Sequence, residues 1–489
     1  MRTVVVGAGV GGLAAAARLA AAGHTVTICE QAPAVGGKLG RLAFGGAVFD
    51  TGPSLLTMPH VLANTFAATG TPMDGLLDLE PVEPIAAYRY ADGTRFTSTR
   101  HLPAMVTALD QALGPGAGAD WSAFLGRAAR IWGAVREPFL ERALGGAGDL
   151  ARLAVRVGDL AAVAPHRTLR GLGRRYLRDP RLRMLLDRYA TYTGSDPRRA
   201  PAALAVVPYV EQAFGAWYVS GGLYRIAEAL AARAVERGAA LRLGCPVTAV
   251  ETAGGRVTGV RLADGALVTA DVVVANTDAA HLYGDLVGDP AAAGARRGIA
   301  RAPMSLSGFV VLLALRGRTP GLAHHSVLFP ADYDAEFDAL FGPDPRPVAD
   351  PTLYVSAPAD PAVRPDGGEA WFVLANAPRS DQVDWAAPGM AGAYADHVVG
   401  LLAARGLDIR DRITARRVLT PAELALRTRA VGGAIYGTAA HGPRAAFLRP
   451  ANRSPVAGLF LVGGSAHPGG GLPLVLLSAR IVAGLVGPA

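Results

Sequence analysis

The sequence contains little cysteine, a single lysine and no long apolar run. Cys29 and Cys245 are the only cysteines among 489 residues, too few for a disulfide framework or a cysteine-based metal site, and we predict no metal. They are compatible with a reducing compartment. The longest apolar candidate, Leu472–Val486, is shorter than the ~18 uninterrupted residues that a membrane-spanning helix needs and contains Ser478 and Arg480. We therefore expect no transmembrane segment.

The positive charge comes almost entirely from arginine. Forty-eight basic and forty acidic residues leave a net charge of +8, and Lys38 is the only lysine. Because alanine is also abundant, this pattern indicates a biased genomic composition, so each arginine is weaker evidence for function than usual. With 51% apolar and 18% charged residues the chain is not disordered, and its length predicts about two to four domains.

The first thirty residues predict a strand, a helix and a second strand. Thr3–Val6 is a β-branched run typical of a buried strand, Leu13–Ala22 is a strong helix former, and His24–Glu30 is again rich in β-formers. This is a βαβ unit. The apolar start superficially resembles a signal peptide, but cleavage would remove this unit, so we expect the segment to belong to the fold.

The turn between the first strand and the helix has the pattern Gly7-x-Gly9-x-x-Gly12, which is typical of dinucleotide binding in this context. Gly7 permits a tight turn, Gly9 lets the backbone approach a pyrophosphate, and Gly12 allows close helix–strand packing. The helix N-terminus, with Gly11, supplies free N–H groups for the phosphates. Glu30, eighteen residues after Gly12, can accept hydrogen bonds from both hydroxyls of an adenosine ribose.

The remaining signals concern which dinucleotide is bound. Gln31, rather than arginine, follows the acidic residue, which disfavours a ribose 2′-phosphate. Near the C-terminus, a strand at Leu459–Val462, a glycine-rich loop at Gly463–Gly471 and a helix at Leu472–Val486 provide a second helix N-terminus. One such terminus can hold the pyrophosphate while the other approaches the polar edge of a flavin.

Strands and helices alternate through the rest of the chain. Pro103 to Ala190 is helix-forming and rich in arginine. Asp271–Ala275 predicts another buried strand, and Ser305–Leu315 and Trp371–Ala375 predict strands of a second sheet. Turn signals also predict an antiparallel meander from Leu241–Leu243, Val247–Glu251 and Arg256–Leu262.

The sequence resembles bacterial-type carotenoid (phytoene) desaturases, which are FAD enzymes of the wider amine-oxidase-like flavoprotein group. Two of the stretches, 188–202 and 217–230, are more similar to the hydroxycarotenoid 3,4-desaturase branch. Ala466 and Gly463-Gly464 depart mildly from the usual pattern, which affects substrate identity more than cofactor. The segments that carry the resemblance are Val4–Gly12 with Glu30, Gly36-Gly37, Asp50–Pro53, Arg188–Gly194, Trp217–Gly222, Arg449–Arg453 and Leu459–Pro473.

The resemblance implies an α/β fold with a Rossmann-like FAD-binding domain that is discontinuous in sequence. A substrate domain with a mixed sheet and a helical subdomain would complete it. FAD would have Glu30 on its adenosine ribose, Lys38 near its pyrophosphate and the Val247 backbone facing its adenine. The implied cofactor-binding residues are Gly7, Gly9, Gly11, Gly12, Glu30, Gln31, Gly37, Lys38, Val247, Gly463, Gly464, Gly471, Leu472 and Pro473.

These expectations define domain boundaries and candidate reactive residues. The FAD-binding domain would comprise residues 1–75, 225–290 and 446–489, the substrate domain residues 76–102, 191–224 and 291–445, and the helical basic subdomain residues 103–190. His467 and Arg449 are the polar residues that we place closest to the flavin ring as catalytic candidates. No Ser-His-Asp order, zinc spacing or carboxylate pair is visible, and we name no general base.

The helical region concentrates basic charge. Between Trp121 and Ala190, fourteen arginines face six acidic residues, an excess equal to that of the whole chain. Phenylalanine, tryptophan and leucine are interleaved with them, which favours an anionic membrane surface as partner, whereas a solvated helical face over an ordinary core is the alternative. We expect a cytoplasmic protein that is peripheral on the inner face of the cell membrane. No nucleic-acid-reading motif accompanies the charge.

The predicted function is desaturation of a carotenoid-type polyene by hydride transfer to FAD. Two alternatives remain open: a related flavoprotein acting on a polyketide polyene, for example in an NADPH-dependent reductive cyclisation, and a non-catalytic polyene carrier on a flavin fold. The terminal electron acceptor, quinone or oxygen, and the oligomeric state do not follow from the sequence.

Overall fold

The structure, a computed structural model, describes residues 1–144, 161, 163–442, 445 and 449–489. It is a mixed α/β fold. In chain order its strands are β1 Arg2–Val6, β2 Thr25–Cys29, β3 Arg41–Phe44, β4 Ala47–Asp50, β5 Leu79–Val82, β6 Ala86–Arg89, β7 Arg95–Ser98, β8 Ala216–Val219, β9 Ala240–Arg242, β10 Val247–Ala253, β11 Arg256–Leu262, β12 Leu267–Thr269, β13 Val272–Ala275, β14 Ser307–Leu315, β15 His325–Leu328, β16 Leu353–Ser356, β17 Glu369–Ala377, β18 Ile413–Leu419 and β19 Leu459–Leu461.

The helices cover the faces of the sheets and connect their strands. Short 3₁₀ or π turns, such as Tyr189–Thr193, extend several of them. In chain order the described α-helices are α1 Val10–Ala21, α2 Pro59–Ala67, α3 Leu102–Leu113, α4 Ala117–Val135, α5 Leu169–Tyr176, α6 Pro180–Arg188, α7 Val206–Phe214, α8 Tyr224–Glu236, α9 Ala279–His281, α10 Ala293–Arg301, α11 Tyr333–Phe341, α12 Met390–Ala404, α13 Pro421–Thr428 and α14 Leu472–Val486.

A five-stranded parallel sheet has the order β19-β13-β1-β2-β9. Its strands come from the beginning, the middle and the end of the chain. Both faces are buried, and the central runs of β1 and β13 are therefore almost entirely valine. Strand β9 joins this sheet in parallel with β2, so the predicted meander is wrong at its first strand. Only β10, β11 and β12 form the antiparallel meander.

A second, seven-stranded sheet has the order β18-β14-β17-β16-β15-β6-β7. Strands β14 and β17 pair antiparallel at its centre, from Ser307 with Ala377 to Leu315 with Glu369. Every residue of β14 is buried. The two strands predicted for a second sheet are thus confirmed and are neighbours.

The large apolar residues of α4, in the described part of the basic helical region, lie in the main core. Trp121, Phe124 and Ile131 of α4 are at most 2% exposed. Arg152 and Arg156, part of the predicted basic surface, lie outside the described residues. Among the helices that the structure describes, none is long and apolar enough to cross a membrane.

Candidate functional site

A cavity of about 490 Å³ lies between the two large sheets. One part of its wall comes from loops at the carboxyl ends of β1, β2, β13 and β19, where parallel sheets typically bind ligands. The opposite part comes from β14, β16 and β17. Thirteen of the fourteen predicted cofactor-binding residues line this cavity, Gly12 being the exception.

The N-terminal glycine loop has the geometry that its sequence predicts. Gly7 has φ +98°, a left-handed conformation that favours glycine. A Cβ at Gly12 would lie 2.2 Å from the carbonyl oxygen of Gly7, so Gly12 serves close packing under the loop and does not reach the cavity. Gly9 precedes the first turn of α1, which has no side-chain cap, and Val10 and Gly11 of that turn line the cavity.

The sequence analysis attributed the glycine at position 9 to the close approach of a pyrophosphate. In the structure, the Asn276 side chain also occupies the space next to Gly9. This side chain follows β13, and a Cβ at Gly9 would lie 2.6 Å from its Nδ2 atom. A Cβ at Gly11 or at Gly463 would lie 2.7 Å from its Oδ1 atom. The carboxamide therefore sits where the two glycine loops meet, and a side chain at any of these three positions would have to displace it.

Glu30 is only 7% exposed and binds the glycine loop directly. Its Oε2 accepts a 2.6 Å hydrogen bond from the Ala8 N–H, and its Oε1 accepts a 2.8 Å bond from the Ala32 N–H. A carboxylate has about four acceptor positions, so both oxygens keep capacity for ligand hydroxyls. The side chain lines the cavity, as the ribose prediction requires.

The other predicted residues near β2 line the cavity in different ways. The Nζ of Lys38 donates to the carbonyl oxygens of Ala434 and Ile435 at 3.0 and 2.6 Å, and burial lowers its pKa. Two of its three N–H donors thus connect the loop that contains Lys38 to the segment at 434–435. Gln31 donates to the Arg427 carbonyl, and Val247, at the start of β10, contributes to the cavity wall. Gly37 lines the cavity with φ +60°.

The C-terminal glycine loop brings a second helix N-terminus to the same cavity. Gly463, Gly464 and Gly471 line it, followed by Leu472 and Pro473 in the first turn of α14. This helix also begins without a side-chain cap. Two helix N-termini with free N–H groups therefore line one cavity, an arrangement that favours a ligand with negative charge or acceptor atoms at two places.

His467 and Arg449 do not line the cavity, contrary to the sequence-based placement. The Nε2 of His467 lies 2.9 Å from the carbonyl oxygens of both Phe139 and Arg142, and burial lowers its pKa to about 4. Arg449 donates to the carbonyl oxygens of three residues that flank the cavity, Tyr436, Thr438 and Gly464. Both side chains therefore hold loops in place. Their catalytic role remains a prediction, and this geometry does not favour it.

The wall from the second sheet is mainly apolar. Alternate residues of β14 and β17 face the cavity, as the two-residue period of a strand requires: Gly308 and Val310, then Phe372 and Leu374. Val207 and Val210 of α7 also line it.

Sequence reasoning also missed polar residues of the cavity wall, among them Asp278 and Arg427. Asp278 is 7% exposed and its Oδ2 has no partner, although Oδ1 accepts from the Ala280 N–H. Arg427 of α13 donates to Thr51, while its Nε is buried and unpaired. Asp278 follows the buried strand β13, and that signal could have identified it. No local sequence pattern distinguishes Arg427 from the many other arginines.

These features fit a dinucleotide such as FAD. Glycines at which a Cβ would clash, two uncapped helix N-termini, an acidic residue at the end of β2 and orphaned polar atoms on Asp278 and Arg427 all belong to one cavity. Among the described residues, no group of three or more His, Cys, Asp or Glu side chains could hold a metal ion.

Comparisons with known proteins agree with this geometry. Residues 10–346 match the family of flavin containing amine oxidoreductases. The chain is similar in structure to cyclohexylamine oxidase from Brevibacterium oxydans IH-35A, with a TM-score of 0.64 and 16% identity over 99% of both chains.

Closer sequence relatives cover nearly the whole chain. The chain is 34% identical to the 4,4'-diapolycopene oxygenase of Methylomonas sp, over 98% of this chain and 97% of the relative. It is 37% identical to the hydroxyneurosporene desaturase of Cereibacter sphaeroides, over 98% and 96% respectively. The chain is therefore an FAD-dependent oxidoreductase that belongs to the flavin containing amine oxidoreductase family and, within it, to the carotenoid desaturases.

Proposed function

We propose that this protein desaturates a carotenoid-type polyene, with FAD as the hydride acceptor. The observation that carries the proposal is the composition of one cavity: glycine loops and helix N-termini on one wall, and apolar residues of β14 and β17 on the other. The first wall suits a dinucleotide and the second suits a long hydrocarbon. The relatives, named for oxidations of carotenoids, support the same chemistry.

We propose a cofactor arrangement that follows the site. The N-terminus of α1 would hold the pyrophosphate, Glu30 the adenosine ribose, and the N-terminus of α14 the polar edge of the flavin. Lys38 would add one remaining donor near the pyrophosphate, and the Val247 backbone would face the adenine. Residues 1–75, 225–290 and 446–489 would form this FAD-binding domain, since they supply all five strands of the parallel sheet.

In the reaction, the protein's own residues position the polyene and exclude water. FAD, when bound, accepts the hydride from one carbon, and the adjacent carbon would release a proton to a weak base, so that the remaining electron pair forms the double bond. The apolar side chains Val310, Phe372 and Leu374 would orient the polyene so that one allylic carbon faces the cofactor, and orientation alone can supply several kcal/mol of a barrier. A buried apolar wall also excludes water from the cationic character that develops along the polyene. Quinone or oxygen would take up the electrons afterwards.

We also propose that residues 103–190 rest on an anionic membrane surface of the cytoplasmic side, from which an apolar substrate could enter. Arg174 and Arg175 in the last turn of α5 are exposed, and no hydrogen bond or ion pair involves their side chains among the described residues. Their aromatic neighbours on α4 are core residues, so the attraction would be electrostatic.

Anaerobic mixing tests the reaction. Oxidised holoenzyme is mixed with candidate carotenoids, and bleaching of the flavin absorption band is expected together with a new double bond in the product. The Gly9→Val variant, which should not retain FAD, is the control for non-enzymatic change. Rapid bleaching by NADPH but by no carotenoid would replace the proposal with the reductive reaction, and carotenoid binding without any bleaching would replace it with a carrier.

A further inference from the structure

A run of hydrogen bonds leads from the cavity into the second sheet. The Oγ of Ser54 lies 2.5 Å from the hydroxyl oxygen of Tyr354, and that oxygen lies 2.8 Å from Nδ1 of His325. Ser54 and Tyr354 line the cavity, whereas His325 does not and is only 1% exposed. Three groups that can each pass on a proton are therefore connected, with one end at the cavity. We call Ser54, Tyr354 and His325 the Ser54 relay.

The Ser54 relay begins where the two walls of the cavity meet. Ser54 belongs to the loop after β4, of which residues 51–53 also line the cavity and which lies in the proposed FAD-binding domain. Tyr354 belongs to β16, where it pairs with Leu374 of the apolar wall. Residues opposite each other on paired strands share a face of the sheet. A polyene carbon between the cofactor and the second sheet would therefore have these two hydroxyls beside it.

Beyond His325, a second imidazole lies on the way to solvent. The ring centroid of His324 is 4.4 Å from that of His325, and His324 is only partly buried. Burial lowers the pKa of His324 to about 4, and the nearby carboxylate of Asp360 opposes this shift. The Nε2 atoms of both imidazoles are buried and have no hydrogen-bond partner among the described residues. The far end of the relay thus has nitrogen atoms that are not engaged elsewhere.

Desaturation requires an acceptor for a proton in a site that excludes water. When a hydride leaves one carbon, the C–H bond of the adjacent carbon becomes strongly acidic, because its electron pair can complete a double bond. A neutral hydroxyl can accept such a proton if it passes its own proton to a neighbour. Burial raises the pKa of Tyr354 to about 12, so this hydroxyl is protonated at rest and has a proton to pass on.

We propose that the Ser54 relay removes the proton that desaturation releases; this inference rests on the proposed function. The Ser54 Oγ takes the proton from the carbon next to the hydride donor, and the electron pair of that C–H bond forms the new double bond. The Ser54 proton moves to the Tyr354 oxygen, and the Tyr354 proton moves to Nδ1 of His325. The polyene has then lost one hydride and one proton. The positive charge lies on the His325 imidazole, which releases its Nε2 proton toward His324.

The surroundings of His325 favour this direction. Burial and, to a smaller extent, the neighbouring His324 and Arg188 lower the pKa of His325 well below its ordinary value. The imidazole is therefore neutral before the reaction, and its Nδ1 can accept a proton from Tyr354. A proton that arrives is not retained, because the same surroundings destabilise the charged ring.

Glu211 of α7 is the alternative proton acceptor. This carboxylate lines the cavity, is 4% exposed and accepts hydrogen bonds from the hydroxyls of Tyr189 and Tyr192, at 2.6 and 3.3 Å. It also interacts electrostatically with Arg188, which is 6% exposed and has its guanidinium carbon 5.0 Å from the ring centroid of Tyr192. Protonation of Glu211 would leave this buried arginine without a balancing charge, which is costly. The neutral relay has no such cost.

Variants that interrupt the relay test the proposal. Tyr354→Phe removes the central hydroxyl, and His325→Asn places an oxygen near the Nδ1 position that accepts a hydrogen bond but does not take up a proton. Each should slow reduction of the flavin by a carotenoid about 100-fold, within the usual contribution of a general base. The FAD content and the binding of polyene, measured by quenching of tryptophan fluorescence, should stay as in the wild type. The double variant should be no slower than either single variant, because both interrupt the same relay.

Ser54 has a conservative variant that separates its hydroxyl from its shape. Ser54→Ala removes the hydroxyl and should slow flavin reduction, whereas Ser54→Thr keeps it and should retain most of the rate. Tyr283→Phe is the matched control for Tyr354→Phe. It removes a buried hydroxyl that donates to Ser454 at 3.0 Å away from the cavity, and it should keep the wild-type rate.

The solvent isotope effect distinguishes proton transfer from mere positioning of the substrate. In heavy water the relay carries deuterium, so the wild-type holoenzyme should reduce its flavin more slowly than in ordinary water. Tyr354→Phe should lose this effect, whereas Tyr283→Phe and Glu211→Gln should keep it. A residue that only supports the cavity wall would change the rate without changing the isotope effect.

Three results would overturn the inference. The first is a wild-type rate and isotope effect in Tyr354→Phe. The second is loss of the isotope effect in Glu211→Gln, because the carboxylate would then be the acceptor. The third is a proton on Nδ1 of His325 in holoenzyme without polyene, seen by nitrogen NMR of labelled histidine, because Nδ1 could then not accept. If no carotenoid reduces the flavin of the wild type, the proposed function fails and the inference falls with it, whereas an active wild type with unaffected relay variants rejects the inference alone.

Discussion

The Asn276 carboxamide occupies the space that a side chain at Gly9 would need, with Nδ2 only 2.6 Å from the position of a Cβ. The pairing of β1 with β13 produces this contact, because Val6 lies opposite Ala275 and the next residues of both strands enter the same loop region. The same carboxamide also faces Gly11 and Gly463. One side chain from the middle of the chain thus fixes how closely the first and last glycine loops approach each other.

The first prediction concerns this contact. Gly9→Ala should weaken FAD binding at least tenfold and lower the melting temperature, because the new methyl group displaces the carboxamide. In an Asn276→Ala background the same substitution should cost less, since contacting residues are typically coupled by 0.5–3 kcal/mol. FAD affinity and thermal melting of the four proteins measure the coupling.

Gly126→Ala is the control for this experiment. Gly126 lies within α4, and a Cβ there would meet no atom within 4 Å. Alanine should therefore preserve stability or raise it by up to about 1 kcal/mol. Strictly additive effects of Gly9→Ala and Asn276→Ala would show that the cofactor, and not the asparagine, excludes a side chain at Gly9.

The second prediction concerns Glu30. Glu30→Gln replaces one acceptor oxygen by an NH₂ group, so either the Ala8 or the Ala32 N–H loses its partner. We expect a loss of about 1–3 kcal/mol in stability even without cofactor, and a larger loss in FAD affinity. Denaturation of the apoprotein separates the two effects. An unchanged apoprotein with weakened FAD binding would mean that Glu30 serves only the ribose.

Local patterns explain how much of the site could be predicted. The turn at Gly7, the βαβ unit and the acidic residue Glu30 follow from strand and helix periodicity within thirty residues, and in the structure Gly7, Gly9 and Glu30 line the cavity. The second glycine loop at Gly463–Gly471 follows from the same kind of pattern. These features depend on neighbours in sequence, which a single chain displays.

The residues that sequence reasoning missed or misplaced depend on contacts between distant segments. Asn276 acts on Gly9 only because β13 pairs with β1. His467 looked reactive in a glycine-rich loop, but its ring bonds carbonyl oxygens more than 300 residues away in sequence. Arg188 is one of fourteen arginines in its region, and only its burial among tyrosines distinguishes it. Such roles follow from tertiary packing and not from residue type.

The third prediction concerns the membrane surface. The protein should float with anionic liposomes at low salt and be released as salt screens the exposed charges. Arg174→Glu together with Arg175→Glu should weaken this binding at least tenfold. The nearby Arg178 already pairs with Asp120 at 3.0 Å and is left unchanged.

The control for the membrane experiment has the same change in net charge at another place. Arg297→Glu together with Arg301→Glu alters two exposed residues of α10, outside the basic helical region. This pair should bind liposomes almost as the wild type does. Equal losses of liposome binding for both double variants would indicate that the net charge of the whole protein, and not the basic helical region, causes the binding. A wild type that stays in solution with anionic vesicles would refute the membrane proposal.

The fourth prediction concerns the pH dependence of stability at His467. Burial lowers the pKa of its imidazole to about 4 in the folded protein, against an ordinary value near 6.5. Between these values the unfolded chain binds a proton that the folded protein does not. The contribution of His467 to the free energy of unfolding is therefore at its full value above about pH 6.5. It falls as the pH is lowered and is lost by about pH 4. The full loss corresponds to about 3 kcal/mol.

Replacement of His467 by glutamine separates this titration from the rest of the protein. His467→Gln keeps an N–H donor for the Phe139 and Arg142 carbonyl oxygens but cannot take up a proton, so its melting temperature should fall less steeply than that of the wild type between pH 6.5 and 4. His441→Gln is a companion, because burial lowers the pKa of His441 to about 4 as well, and it should flatten the curve similarly. A His467→Gln curve parallel to that of the wild type would mean that the imidazole is protonated in the folded protein, with its charge stabilised by the two carbonyl oxygens.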